Sequence, residues 1–98
     1  MTVYFGDSGG FSTSRCRRLP VTSGGSYDMA DINLDGNAEL IHAAWHADIG
    51  VIYWGSDTGP SIADTTILPT NTAEAITAAD LDKDGYIDLI FPGEFPPS

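Results

Sequence analysis

The chain has 98 residues, enough for one small domain whose core is of only marginal size. Fourteen acidic residues against four basic ones leave a net charge of −10, which disfavours contact with nucleic acid or anionic membrane surfaces. The lone Cys16 rules out an internal disulfide, no apolar run is long enough to cross a bilayer, and Met1–Tyr4 carries no secretory-signal pattern.

In chain order, the first predicted strand is Val3–Phe5, β-branched and aromatic, ending at the Gly-rich turn Gly6–Gly10. Arg15–Leu19 follows and stops at Pro20. Its three arginines (Arg15, Arg17 and Arg18) read as edge protection and partners for nearby acids rather than as activators of the Cys16 thiol. Tyr27–Ala30 leads into an acidic loop at 31–39, and Glu39–Trp45 leads out of it. Val51–Trp54 ends at a second Gly-rich turn, Gly55–Gly59, and Thr65–Leu68 stops at Pro69. Ala75–Ala79 enters a second acidic loop at 80–88, and Asp88–Phe91 leaves it. No segment has sustained helical periodicity with caps.

Shifting the chain by 49 residues superposes it on itself with 12 identities and no gap. Tyr4-Phe5-Gly6 falls on Tyr53-Trp54-Gly55, Leu19-Pro20 on Leu68-Pro69, and Leu40-Ile41 on Leu89-Ile90. Four short strands in a repeat of this length predict an all-β fold of β-propeller type, with two four-stranded blade repeats per chain. The repeats are 1–49 and 50–98, together one module. Their phase predicts one intact sheet over about 26–70, flanked by half-sheets at 3–19 and 75–91. Two blades cannot close a ring, so a homotrimer or homotetramer of six or eight blades is expected, with Asp88–Phe91 of one copy pairing with Val3–Phe5 of the next. The competing expectation is a purely structural building block, or a fragment of a longer propeller, with no ligand.

Seven of the fourteen acids lie in the two loops. Asp31, Asn33, Asp35 and Glu39 occupy loop positions 1, 3, 5 and 9, as do Asp80, Asp82, Asp84 and Asp88. Glycine at position 6 (Gly36, Gly85) permits the turn that brings these oxygens inward, and position 7 offers a backbone carbonyl. Five or six converging oxygens suit a hard cation tolerant of irregular geometry, Ca2+ rather than Mg2+. An EF-hand is excluded, because position 12 is His42 in one loop and Phe91 in the other where a bidentate Glu is required.

The pattern D-x-[DN]-x-D-G-x-x-[DE]-L, preceded by an aromatic-Gly strand end (Phe5-Gly6, Trp54-Gly55), resembles the FG-GAP or VCBS-type repeat, the blade unit of integrin α-subunit propellers. The resemblance covers both 49-residue units. It implies two Ca2+ per chain, held by Asp31, Asn33, Asp35, the Asn37 carbonyl and Glu39, and by Asp80, Asp82, Asp84, the Tyr86 carbonyl and Asp88. It implies a structural calcium, not a catalytic one. Asn33 in place of Asp and Glu39 in place of Asp predict a looser first site and a tighter second one. The resemblance also implies a recognition or adhesion protein of the cell surface or extracellular space, with a glycan or protein ligand and possible lectin-like activity.

A ligand face is expected opposite the calcium loops, where Trp45 and His46 could stack on or hydrogen-bond a partner beside Asp48, and where the loop Thr22–Gly25 also lies. His42 and His46 are too far apart along a strand to share a metal. No nucleophile elbow, phosphate loop or zinc spacing is present, so no enzymatic activity is expected.

Overall fold

The computed structural model describes residues 1–19 and 25–93. The eight predicted strands are all present, within about two residues of their expected ends. They are β1 (Thr2–Tyr4), β2 (Cys16–Arg18), β3 (Tyr27–Ala30), β4 (Glu39–Ala44), β5 (Ile49–Tyr53), β6 (Thr65–Pro69), β7 (Thr77–Ala79) and β8 (Asp88–Ile90). No α-helix occurs among the described residues; Trp45, expected to end the strand Glu39–Trp45, instead opens a single 3-10 turn, Trp45–Ala47. Asp48 follows it with φ of 54° and accepts the Thr72 amide at 2.8 Å, so the chain reverses tightly here and β5 starts at Ile49 rather than Val51.

Three antiparallel sheets result: β1-β2, β3-β4-β5-β6 and β7-β8. This is the division that the repeat phase predicts, one complete blade-like sheet flanked by two halves. In the central sheet Leu40 faces Tyr53 and Ile41 faces Ile52. β4 is buried along its whole length because it has a strand on each side and a packed layer on each face. The short outer strands alternate instead, as a half-covered sheet must.

The core lies between the sheets rather than within one. Leu19, Leu40 and Tyr53 pack with Met1, Val3 and Val51, joining β1-β2 to the central sheet. Ile41, Ala43, Ile52, Ala73 and Ile76 pack with Ile32, Trp54, Leu68, Leu89 and Phe91, joining the central sheet to β7-β8. Burying a side chain such as Ile41 contributes about 1.5–3 kcal/mol. A polar tie runs the same way: Asp28 on β3 accepts the Ala78 amide of β7 at 2.9 Å.

The arginines are only partly the solvent-facing guard expected. Arg15 pairs with Asp7 at 3.0 Å, but Arg17 crosses to the next sheet, donating to the carbonyls of Thr58 and Pro60.

His42 is 2% exposed and stacked on Tyr27 at 4.3 Å between ring centroids. Its Nδ1 lies 3.2 Å from the Ser26 carbonyl, and its Nε2 is buried without a partner. The Ser26 carbonyl also accepts the Ala43 amide, so it stays satisfied without the imidazole. The position one repeat later is Phe91, an apolar ring in the second core. An apolar residue of close volume is therefore expected to be tolerated: His42→Leu should hold or raise stability, by up to about 1 kcal/mol, because it removes an unsatisfied buried nitrogen without adding much bulk. A urea unfolding midpoint lower than that of the wild type would contradict this.

Candidate metal centre

Both acidic loops are hairpin connections, β3 to β4 and β7 to β8. Their backbones match position for position. Leu34 and Lys83, at position 4, have φ of 60° and 63°, and Gly36 and Gly85, at position 6, have φ of 92° and 94°. A left-handed residue followed two places later by a glycine at φ near 90° curls the chain around its own first carboxylate. Glycine is required there by conformation, since a Cβ on Gly36 or Gly85 would meet nothing within 4 Å.

The first carboxylate of each loop anchors that curl. Asp31 accepts the amides of Asp35 and Gly36 at 3.1 and 2.8 Å, and Asp80 accepts those of Asp84 and Gly85 at 3.1 and 2.9 Å. At position 5, Asp35 accepts the Asn37 amide and Asp84 the Tyr86 amide. The Tyr86 amide holds the Asp84 carboxyl below the usual carboxylate range. The last acid closes the hairpin: Glu39 accepts the Ile32 amide at 2.8 Å, and Asp88 the Leu81 amide at 2.8 Å.

Three carboxylates of each loop thereby bring one oxygen apiece within 4.8 Å of one another: Asp31, Asp35 and Glu39 in the first, Asp80, Asp82 and Asp88 in the second. Like charges at that spacing repel, and each carboxylate oxygen retains lone pairs beyond its amide contact. An all-oxygen, anionic, irregular donor set fits Ca2+. Asn33 and Asp35 also line an open cleft of about 380 Å³ with Trp54, Gly55 and Asp64. Asp84 is not among the converging three of its loop, whereas its counterpart Asp35 is.

Two features of the first loop escape a reading of the sequence. Glu39 is 0% exposed and uses its second oxygen to accept the Gly55 amide at 3.1 Å, tying the loop to the turn after β5. Asp64, immediately before β6, adds a further carboxylate beside the loop. Both depend on cross-strand register, and no local spacing announces them.

On the proposed ligand face, His46 is exposed while His42 is buried. The Asp48 carboxylate is engaged by Thr72. The Trp45 side chain and residues 22–24, also assigned to that face, lie outside what is described.

Comparison with curated proteins and with solved structures finds no significant match. A family model described as FG-GAP-like repeat matches residues 31–91, from the first acidic loop to the end of the second hairpin. That span holds both loops, the complete central blade from its first loop onward, and more than half of the chain, and the chain accordingly belongs to the FG-GAP-like repeat family.

Proposed function

We propose that the chain is a calcium-stabilised β-propeller module that acts in recognition or adhesion at a cell surface or outside the cell, as a ring built from several copies. The observation that carries the calcium reading is the equivalence of the two loops: the same backbone conformation, the same amide contacts and three converging carboxylates in each. Repulsion within each trio makes the loops costly without a cation, and each Ca2+ would replace it by attraction. Asp31, Asn33, Asp35 and Glu39 would hold one ion with the Asn37 carbonyl, and Asp80, Asp82, Asp84 and Asp88 the other with the Tyr86 carbonyl. The metal is structural in this reading: it fixes the hairpins that join the first two strands of each blade, and no catalysis is assigned.

The recognition role rests on the family resemblance, since fold alone does not fix function. A protein or glycan partner would meet the face opposite the metal loops, with Trp45 and His46 as contacts. The net charge of −10 argues against nucleic acid and membrane surfaces as partners.

Thermal unfolding in Ca2+ and in chelator tests the metal reading. A ligand at about a hundred times its Kd adds about 2.7 kcal/mol per site, which raises Tm by roughly 10–20 °C in a domain of this size. Mg2+ is expected to give a smaller rise, because it demands stricter octahedral geometry. Equal Tm values in Ca2+ and chelator would contradict the reading.

A further inference from the structure

The 49-residue repeat supplies a template for a contact that the described residues leave unmade. Within the chain, β1-β2 packs on the central sheet in three ways. The Phe5 ring lies against Gly59, within about 3 Å of where a Cβ would stand. Arg17 reaches the carbonyls of the same turn, with its guanidinium 5.4 Å from the centre of the Phe5 ring. Leu19 and Val3 share a core with Leu40 and Tyr53.

One repeat later the same pattern is half built. Leu68, Ile52 and Leu89, the counterparts of Leu19, Val3 and Leu40, share the second core. The counterpart of Tyr53 is missing from that core: it is Tyr4, at the far side of the chain, 52% exposed where Tyr53 is 7%. Trp54, counterpart of Phe5, borders an open cleft of about 540 Å³ formed with its own turn and Arg17, and the counterpart of Gly59 is Gly10. Gly10 is followed by Phe11, 76% exposed, which with Tyr4 lines an apolar cleft of about 430 Å³. Among the described residues β8 pairs only with β7 and β1 only with β2, so each leaves a strand edge open.

We propose that a second copy of this chain docks its β1-β2 onto β7-β8 of the first, with β1 antiparallel to β8 and Leu89 facing Tyr4, Ile90 facing Val3 and Phe91 facing Thr2. The inference rests on the propeller reading above and gives it a partner and a register. The register is that of β4 on β5, shifted by one repeat. Tyr4 of the arriving copy completes the second core, and its Gly10-Phe11 turn covers Trp54. Its Gly6 amide meets Asp88 as Gly55 meets Glu39.

Charge favours the same pairing. Three of the four basic residues, Arg15, Arg17 and Arg18, are carried by β1-β2 and its turn, while β7-β8 carries Asp80, Asp82, Asp84 and Asp88. Arg15 is the counterpart of Asp64, which stands beside the first loop, so docking places Arg15 beside the second. The contact joins different surfaces head to tail, and closes a ring when the rotation allows.

Sedimentation of the full chain, with Ca2+ and with chelator, tests the proposal. The expected mass in the micromolar range is three or four times the 10.4 kDa of one chain. Tyr4→Lys and Phe11→Lys are each expected to weaken association at least about tenfold with an unchanged circular dichroism spectrum, since both side chains are exposed in the single chain. Ile67→Lys, 60% exposed on β6, is expected to leave association unchanged. A wild type that stays monomeric through that range, or an assembly indifferent to both β1-β2 variants, would overturn the proposal. A monomer that still takes up Ca2+ would sink the docking and leave the calcium reading standing. Assembly sensitive to Tyr4→Lys without any Ca2+ uptake would support the docking and sink the calcium reading.

Discussion

Glu39→Ala is expected to destabilise the chain by about 3 kcal/mol and to abolish metal binding at the first loop. Glu39 is fully buried, and its two oxygens accept amides from opposite sides, Ile32 of its own hairpin and Gly55 of the turn after β5. Truncation strands both donors where water reaches them poorly, and an unpaired donor to a charged acceptor costs roughly 1–3 kcal/mol. One term acts the other way: removing Glu39 relieves its repulsion with Asp31 and Asp35. The loss should therefore be smaller in chelator than in Ca2+, where the wild type gains from its ion and the variant does not. Urea unfolding under both conditions measures the difference. Glu39→Gln keeps one acceptor oxygen and should fall between the two. A loss below about 1 kcal/mol in both conditions would show that the buried carboxylate is not the link between loop and blade.

Gly55→Ala is expected to cost about 3 kcal/mol, as a severe overpacking defect. A Cβ there would stand 2.1 Å from the Ala38 carbonyl oxygen and 3.1 Å from Glu39 Oε2. The obstacle is backbone, held between the acidic loop and β4, so it cannot swing aside as a side chain would. Relief must come from separating the turn from the hairpin, which also breaks the Gly55 contact to Glu39. Gly36→Ala is the useful comparison: it has open space but a φ of 92°, so its cost is conformational and nearer 1 kcal/mol. Thermal melts of the two variants should rank Gly55→Ala well below Gly36→Ala, and the opposite order would contradict the close approach. Gly6, the counterpart of Gly55, has the movable Phe11 ring rather than backbone as its nearest obstacle in the single chain. Gly6→Ala should consequently spare folding and weaken association.

The sequence carries the repeat, the loops and the sheet division because each is a local pattern. Tyr4-Phe5-Gly6 and Tyr53-Trp54-Gly55 mark strand ends by composition, and Gly36 and Gly85 mark left-handed turns by conformational need. What it does not carry depends on distance along the chain. Nothing near Asp64 shows that β5-β6 pairing brings it beside Asp35, or that Arg17 spans to Thr58 rather than facing solvent. Counting charges favours the second loop for metal, since Asp82 replaces Asn33. The fold adds Asp64 and the Gly55 amide to the first loop, and neither has a counterpart at the second within one chain. The extension of β5 to Ile49 follows from the 3-10 turn at Trp45–Ala47, which strand propensity alone could not foresee.

The central claim is one calcium per acidic loop, and titration calorimetry of the full chain with Ca2+ tests it most directly. The account predicts two ions per chain for the wild type and one after Asp31→Ala, with the second loop still loaded. No binding heat in the wild type, or a stoichiometry unchanged by Asp31→Ala, would contradict it.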